Sequence, residues 1–377
     1  MIYLDNAATS YPKPPKVIRA MAGSLEKLGA NPGRSGYRMG LCASRVVQRC
    51  REEIAQLLHM QNTERVVFTK NCTEALNLAI LGTLCEGDEV LVSHGEHNAV
   101  MRPLDRLCAM GQITVRVLPP DSMGLLQPHT LQREITPRTA LVIVCHASNV
   151  TGTLQPVSRL GAVCRENGVP LLVDAAQSAG VEDVSPDALH ADMVAMPGHK
   201  GLQGPHGTGV LALGEGMLPQ PLICGGTGSL SESTRQPEML PDRYESGTLN
   251  LPGVAGLLVG TRFVRQHLAE IREYEAELTD RLRERLQNIP KVSLLGHPDA
   301  PHVGVTSFTV EGMDVGQVAD GLSAADVAVR AGLHCAPAMH AWLGTLQSGA
   351  VRASVGIYNT EQEIDVFALL LERIIKG

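Results

Sequence analysis

Seven short apolar runs, rich in β-branched residues, recur in the first 213 positions and limit the folds open to this chain. The segments between them, for example TEALNLAILGTL and VSRLGAVCRENG, have the composition of helices. Strands that alternate with helices form a largely parallel sheet covered on both faces. The runs occupy positions 65–69, 89–93, 113–117, 141–145, 170–174, 192–196 and 209–213. The alternation predicts an α/β fold with a mostly parallel seven-stranded sheet, and ligands are expected at the carboxyl ends of its strands.

The chain after position 213 has a different composition. Residues 214–250 are rich in Gly, Pro, Ser and Thr, which indicates a long functional or interface loop. An amphipathic stretch at 254–288 with alternating charges predicts a helix, and 292–377 predicts a compact α+β segment. We therefore expect a large domain at 12–252 and a small domain that comprises 253–377 together with the N-terminal residues 1–11 and carries the loop with Cys335.

Charge and hydropathy limit the partners and the location. The formal net charge of −7 argues against a nucleic acid or an anionic membrane as partner. No apolar run is long enough to cross a bilayer. The start, MIYLDNAATS, carries an acidic residue where a signal peptide would carry positive charge. These features predict a cytoplasmic protein.

The nine cysteines contain no CxxC pair, so they indicate reduced thiols rather than a disulfide framework or a metal site. Most are expected to be buried as small apolar residues; Cys145, for instance, lies in the strand-like LVIVC. Cys335 differs, because RAGLHCAPAMH is a small, turn-forming stretch rather than an apolar run. His334 and Arg330 could supply positive charge near this thiol.

A carboxylate and a lysine follow two neighbouring strands of the predicted sheet. Asp174 ends the run at 170–174, with Gln177 just beyond it, while His199 and Lys200 follow the run at 192–196. A desolvated lysine can form a Schiff base with a carbonyl group. A buried carboxylate is the natural partner of a protonated pyridine nitrogen, and this pair is typical of pyridoxal 5'-phosphate (PLP) sites.

The segment TKNCTEALNLAI (69–80) offers a place for a phosphate group. A strand ends there and a helix begins near Asn71–Thr73, whose free N–H groups and dipole favour an anion. The alternative interpretation is an ordinary capping box of Asn71 with Glu74. His97 follows another strand, where an imidazole could cover a flat ring.

Nine segments in order make the sequence resemble the class V aminotransferase-like PLP enzymes, and most closely their cysteine desulfurase and selenocysteine lyase branch of SufS- and NifS-like proteins. The resemblance runs from residue 3 to about 366. It rests on YLDNAATSYPKP, NCTEALNLAI, EHNAV, HASNVTGTLQPV, VDAAQSAG, PGHKGLQGPHGTG, YESGTLN, RAGLHCAPAMH and VRASVGIYNTEQEID. It implies a type I PLP transferase fold.

The resemblance also implies cofactor roles. Lys200 would bind PLP covalently and Asp174 would pair with its pyridine nitrogen. Gln177 would hydrogen-bond the phenolate oxygen, while His97 would stack on the ring and act as acid and base. Thr73 and His199 would bind the phosphate.

Further roles implied by the resemblance concern the substrate and a second subunit. Thr248 would reach the phosphate from the neighbouring subunit of a homodimer. Asn149 and Arg352 would hold the substrate carboxylate, and an arginine is apt because its fork matches a carboxylate. Two positions depart from the family: Pro197 replaces a phosphate-binding serine, and Leu333 replaces the first histidine of an HHC motif.

By the same resemblance, Cys335 would take sulfur from L-cysteine as a persulfide and leave L-alanine, before a possible acceptor protein receives the sulfur. The alternatives are a selenocysteine lyase acting on L-selenocysteine, and an aminotransferase or epimerase that uses Lys200 but not Cys335. A non-enzymatic scaffold is disfavoured, because Lys200, Asp174, His97 and Arg352 occur together.

Overall fold

The computed structural model describes residues 1–33 and 36–376, in which thirteen strands form three sheets. Arg34, Ser35 and Gly377, which fall within the two predicted domains, lie outside the described residues. The strands are β1 Ile2–Tyr3, β2 Val66–Thr69, β3 Glu89–Ser93, β4 Thr114–Leu118, β5 Thr139–Cys145, β6 Leu171–Asp174, β7 Met193–Pro197, β8 Gly209–Leu213, β9 Val292–Leu294, β10 Val305–Val310, β11 Val327–Ala328, β12 Arg330–Gly332 and β13 Ala350–Ser354.

Eleven α-helices and one 3₁₀ turn, Thr63–Arg65, surround these sheets in the described part of the chain. The helices are α1 Pro15–Lys27, α2 Arg38–Leu57, α3 Cys72–Thr83, α4 Asn98–Ala109, α5 Pro128–Glu134, α6 Val157–Glu166, α7 Pro186–Leu189, α8 Leu251–Gln287, α9 Val315–Ala324, α10 Pro337–Trp342 and α11 Glu361–Lys376. None of the described helices is long and apolar enough to span a membrane.

The largest sheet contains seven strands in the order β2-β8-β7-β6-β5-β3-β4. Its strands coincide with the seven predicted runs, so the predicted sheet is confirmed. Only β8 runs antiparallel to its neighbours; the other pairs are parallel. The carboxyl ends of β5, β6 and β7 therefore lie side by side, with Cys145 and Asp174 at paired positions.

Both faces of the sheet are buried at its central strands, which explains why β5 to β8 are mostly apolar rather than alternating, whereas the edge strand β4 is partly exposed. In β5, Val142 and Val144 face one hydrophobic cluster, whereas Leu141 and Ile143 face the other. All four side chains are fully buried. Each contributes about 1.5–3 kcal/mol of burial free energy. This packing fixes the strand ends from which the site residues project.

The loop predicted at 214–250 contains no helix or strand in the structure. It is nevertheless anchored near its far end to helix α2 and to strand β2, whose Phe68 N–H donates to Glu245 Oε1 at 2.8 Å. The buried Arg51 guanidinium binds both carboxylate oxygens of Glu245 at 2.8 Å, and the Tyr244 hydroxyl donates to the Pro219 carbonyl at 2.8 Å. The predicted loop is confirmed.

Helix α8 is shared between two hydrophobic clusters. Its first half, including Val254 and Leu257, packs in the core beside the large sheet. Leu278, Leu282 and Leu286 pack instead beneath the antiparallel sheet β12-β13-β10-β9. The division at residue 252 remains a proposal, and it falls inside this shared helix.

The N-terminal segment, residues 2–13, joins the small sheet to the loop after β7. Strand β1 pairs with β11, and the Ser354 N–H donates to the Leu4 carbonyl at 2.7 Å. Farther along, the backbone N–H of Ser10 and the ammonium of Lys13 donate to the His199 carbonyl at 3.1 and 2.7 Å. This segment therefore connects the strand that carries Arg352 to the turn that carries Lys200.

Candidate active site

One cavity brings together nearly all of the predicted site residues. Its volume is about 860 Å³, including the open solvent at its mouth. It lies at the carboxyl ends of β5, β6 and β7, as expected for a parallel sheet. Nine predicted site residues line it: Thr73, His97, Asn149, Asp174, Gln177, His199, Lys200, Cys335 and Arg352.

Asp174 ends strand β6 at the base of the cavity, where only 3% of it is exposed. Its Oδ1 atom accepts the Ala176 N–H at 2.9 Å and lies 3.8 Å from the Cys72 Sγ atom. Its Oδ2 atom accepts no hydrogen bond from the described residues. A buried carboxylate with a free oxygen is suited to a cationic N–H donor in the cavity.

The N-terminus of α3 is both capped and open to the cavity. Asn71 Oδ1 accepts the Glu74 N–H at 2.9 Å, so the capping role of Asn71 is confirmed. The N–H groups of Cys72 and Thr73 have no acceptor among the described residues, and both residues line the cavity. Glycine at 209 permits this arrangement, since a Cβ there would collide with the Asn71 backbone. The helix end retains two donors for an anion.

Lys200 lies in the turn after β7 and projects into the same cavity. Its ammonium makes no hydrogen bond or ion pair with the described residues. Burial lowers the pKa of this amine, while the carboxylate of Asp174 acts in the opposite direction. A lysine with a lowered pKa holds a larger fraction of the neutral amine that attacks carbonyl carbon.

His97 is the N-cap residue of α4, and its Nδ1 atom accepts the Ala99 N–H at 3.0 Å. Burial lowers the pKa of this imidazole, so the ring is neutral and carries its proton on Nε2. The ring can therefore present an N–H donor to the cavity. An acid/base role stays a prediction, and it requires the ring to release Ala99.

Two more predicted cofactor residues have distinct surroundings. The Gln177 side-chain amide donates to the Ala7 carbonyl at 3.1 Å. The His199 ring stacks on His206 with centroids 5.0 Å apart, and within the described part of the chain its Nδ1 has no hydrogen-bond partner. Burial lowers the pKa of His199 to about 4, so the ring would meet a phosphate as a neutral donor. Pro197 also lines the cavity and, as proline, offers no donor.

The Cys335 loop is held by two hydrogen bonds from the other side of the cavity. The Asn98 N–H donates to the Cys335 carbonyl at 2.8 Å, and the Asn149 side-chain amide donates to the His334 carbonyl at 2.6 Å. His334 and Cys335 both have positive φ, at 50° and 59°, a conformation that is strained for residues other than glycine. Cys335 is exposed at the cavity wall, while the adjacent His334 is buried.

The expected positive charge beside Cys335 comes from one residue rather than two. Burial and neighbouring cations, led by Arg352, lower the pKa of His334 to about 3, so this imidazole is neutral. That part of the prediction is wrong. Arg330 lines the cavity and forms no ion pair with the described residues, so it supplies a positive charge there.

Arg352 on β13 is 2% exposed, and its guanidinium faces the cavity. One Nη atom donates to the Asn149 carbonyl at 3.1 Å, and the other pairs with Asp5 Oδ1 at 2.9 Å. The Nε atom has no partner among the described residues. The guanidinium is thus oriented by two contacts while one N–H remains available for a carboxylate.

The geometry agrees with the comparisons to known proteins. The family described as "Aminotransferase class-V" matches residues 2–367. The chain belongs to the class-V aminotransferase family. A probable cysteine desulfurase of Methanothermobacter thermautotrophicus is 37% identical over 381 residues, covering 99% of this chain and 94% of that protein. A cysteine desulfurase of Salmonella newport is 33% identical, covering 99% and 93%.

Solved structures of similar proteins confirm the class-V fold. The apo cysteine desulfurase of Thermococcus onnurineus has a TM-score of 0.93 at 35% identity, covering 100% of this chain and 95% of that one. The Escherichia coli cysteine desulfurase CsdA, solved in an S-sulfonic acid form, has a TM-score of 0.89 at 28% identity, covering 99% and 94%. The predicted resemblance and fold class are therefore confirmed.

Thr248 is the one predicted class-V site residue outside the cavity. It is exposed, and its hydroxyl lies 3.5 Å from the Asn31 side-chain nitrogen. This position neither supports nor opposes a role in the cavity of a second subunit, so that role stays a prediction.

Sequence reasoning assigned no role to several groups around the class-V site. Glu96 is fully buried beside Cys145, whose N–H it accepts at 2.6 Å. Burial raises the pKa of Glu96 to about 8, so this carboxyl group is neutral at neutral pH. Asp5 lies inside the recognised segment YLDNAATSYPKP, but no local pattern reveals its pairing with Arg352, 347 positions away.

The Asp5–Arg352 pair yields a prediction about stability. We expect Asp5→Asn to lower the free energy of unfolding by about 1–3 kcal/mol, because it leaves the buried Arg352 charge uncompensated. Urea denaturation measures this change. Asp280→Asn is the matched control, since that carboxylate is 72% exposed and its one ion pair among the described residues is with His302. Asp280→Asn is expected to change the free energy of unfolding by less than about 1 kcal/mol. If both variants lost the same amount of unfolding free energy, Asp5 would not stabilise the fold by compensating the buried Arg352 charge.

Proposed function

We propose that this protein is a PLP-dependent cysteine desulfurase that converts L-cysteine to L-alanine and takes up the sulfur on Cys335. The observation that carries the proposal is the shared cavity, in which Lys200, Asp174 and Arg352 meet an exposed thiol. An aminotransferase would need the first three residues but would have no use for the thiol. Relatives named cysteine desulfurase over almost the full chain support the same choice.

The hydrogen-bonding groups that remain unused in the cavity fit PLP. The free N–H groups of Cys72 and Thr73 suit its phosphate, and the free oxygen of Asp174 suits its pyridinium nitrogen. Lys200 would hold the cofactor covalently, and His97 and Gln177 would contact its ring. Once bound, PLP would supply an electron sink for the substrate's Cα.

The protein's own residues would orient the substrate and receive its sulfur. Arg352 would bind the carboxylate and Lys200 would move the proton at Cα. The Cβ–S bond of L-cysteine breaks, an S–S bond to Cys335 forms, and Cβ gains a proton. The sum is Cys335–SH plus L-cysteine giving Cys335–S–SH plus L-alanine, which balances without an external oxidant because carbon is reduced as sulfur is oxidised.

Mass spectrometry of the protein after incubation with L-cysteine tests this proposal. We expect one added sulfur on the peptide that contains Cys335, and its removal by a thiol reductant. L-Alanine in place of L-cysteine is the negative control. Sulfur found on another exposed cysteine, such as Cys224 or Cys85, but not on Cys335 would refute the assigned acceptor.

We further infer a homodimer and a separate sulfur acceptor. Exposed large apolar side chains recur in two stretches of the described chain, and exposed apolar surface is typical of interfaces. They are Tyr11, Ile18, Leu25, Tyr37, Met39 and Leu41, together with Leu218, Leu222, Ile223, Leu230 and Met239. The exposed thiol of Cys335 would let an acceptor protein reach the sulfur.

A further inference from the structure

A buried thiol contacts Asp174 at the base of the active-site cavity. Cys72 is the first residue of α3, is 9% exposed and lines the cavity. Its Sγ atom lies 3.8 Å from Asp174 Oδ1, and this oxygen is its one hydrogen-bond acceptor within the described part of the chain. The two residues are 102 positions apart, so the contact exists only in the folded chain.

The protonation of the thiol determines which partner donates. Burial raises the pKa of Cys72 well above its ordinary value, and the charge of Asp174 acts in the same direction. The thiol therefore keeps its proton at neutral pH. Since a protonated thiol is a weak donor and a carboxylate oxygen is an acceptor, the S–H group donates to Asp174 Oδ1.

Two donors thus act on the same carboxylate oxygen. The Ala176 N–H donates to Asp174 Oδ1 at 2.9 Å from the turn that follows β6, and the Cys72 thiol reaches the same atom from α3. Because the donors belong to different elements, together they restrain rotation of the carboxylate about its Cβ–Cγ bond. With Oδ1 engaged, Oδ2 remains available to an N–H donor in the cavity.

We propose that Cys72 is a positioning residue for the cofactor, whose thiol holds Asp174 so that Oδ2 meets the pyridinium nitrogen of PLP. The inference rests on the proposed function and deepens it by adding a residue that acts through Asp174. A carboxylate partner keeps the ring nitrogen protonated, which makes PLP an electron sink, so this restraint affects cofactor binding. No bond to the Cys72 sulfur forms or breaks, in contrast to the role proposed for Cys335.

Cys145 supplies the matched control, because it is a second buried thiol of the cavity wall. It ends β5, lies opposite Asp174 in the register of β5 and β6, and is 6% exposed. Its thiol donates to the Ala147 carbonyl at 3.2 Å instead of to Asp174. Replacing either cysteine removes one sulfur from the wall, but only the replacement of Cys72 removes a hydrogen bond to Asp174.

Titration of the full-length apoprotein with PLP, followed by cofactor absorption, tests the proposal. We expect Cys72→Ala to raise the apparent PLP dissociation constant by about three- to tenfold, since a hydrogen bond to a charged group is lost. The backbone N–H that suits the phosphate is unchanged in this variant. Cys72→Ser, whose hydroxyl is a stronger donor, and Cys145→Ala should both stay within about twofold of the wild type.

The serine variant separates positioning from packing, because a smaller polar side chain would not restore lost apolar contacts. A wild-type dissociation constant in Cys72→Ala would overturn the proposal. Equal weakening of PLP binding in Cys72→Ala and Cys72→Ser would overturn it as well, since the thiol would then act through its volume.

The S–H stretching vibration gives a readout that needs neither cofactor nor activity. It absorbs where few other protein groups do, and donation of a hydrogen bond lowers its frequency. Subtracting the spectrum of the matching Cys72→Ala protein isolates the Cys72 band. This band should rise in frequency in Asp174→Asn, where the acceptor loses its charge, whereas the Cys145 band should move less. A Cys72 band that does not move would contradict the proposed hydrogen bond.

Failure of the proposed function would look different. The wild type would then form neither L-alanine nor sulfide from L-cysteine, while the Cys72 band would still respond to Asp174→Asn.

Discussion

Replacing Lys200 with alanine is expected to lower the rate of L-cysteine desulfuration by about a thousandfold or more, because both the covalent anchor for PLP and the group that moves the Cα proton are lost. The release of L-alanine and sulfide measures the rate. The absorption band of lysine-bound cofactor should vanish as well. The fold should persist, since the Lys200 ammonium makes no hydrogen bond or ion pair with the described residues.

Lys13 offers a control for this substitution. Its ammonium binds the Ser10 hydroxyl at 2.6 Å and the His199 carbonyl at 2.7 Å, and it does not line the cavity. We expect Lys13→Ala to reduce stability while retaining the cofactor band and most of the activity. If Lys200→Ala retained the band and Lys13→Ala lost it, the assignment of the cofactor lysine would be wrong.

Replacing Cys335 with alanine is expected to reduce desulfuration of L-cysteine to less than about one-thousandth of the wild-type rate, because no other thiol is placed to accept the sulfur. Among the described residues, the other cysteines of the cavity wall are Cys72 and Cys145, and burial raises the pKa of each thiol well above its usual range. They remain protonated and poorly nucleophilic. Single-turnover alanine formation is the appropriate measurement.

The Cys335→Ala variant also distinguishes a cysteine desulfurase from a selenocysteine lyase, the two activities between which the sequence did not decide. If the enzyme is a selenocysteine lyase, Cys335→Ala should keep a large share of its turnover of L-selenocysteine, from which selenium is eliminated more readily. Cys224→Ala, which removes another exposed thiol outside the cavity, should leave both reactions intact. Full activity of Cys335→Ala on L-cysteine would exclude the persulfide mechanism.

The large sheet was predictable because both of its faces are buried at its central strands. Strands such as β5 then consist almost entirely of apolar residues, a local pattern that does not depend on what surrounds it. The polar residues that end β6 and follow β7 stand out against this background, so Asp174 and Lys200 could be recognised from the chain alone. Their convergence follows from the parallel order of the strands.

The remaining parts of the site depend on contacts between distant segments. The pairing of Arg352 with Asp5 and the attachment of the His334 carbonyl to Asn149 have no local signature. The neutral state of His334 was also missed, because burial beside two arginines determines it rather than its neighbours in the sequence. The sequence shows that position 334 is a histidine, whereas the protonation state of its ring depends on the residues that surround it in the folded chain.

The pairing of the N-terminal segment with β13 has a consequence for biosynthesis. Asp5 and Arg352 are 347 positions apart, so at typical translation rates Asp5 leaves the ribosome roughly 20 to 70 s before its partner is made. During that interval the first strand has no β11 to pair with, and the substrate-binding end of the cavity does not exist. The end of the cavity that holds Arg352 therefore forms only when synthesis is nearly complete, because its two halves come from opposite ends of the described chain.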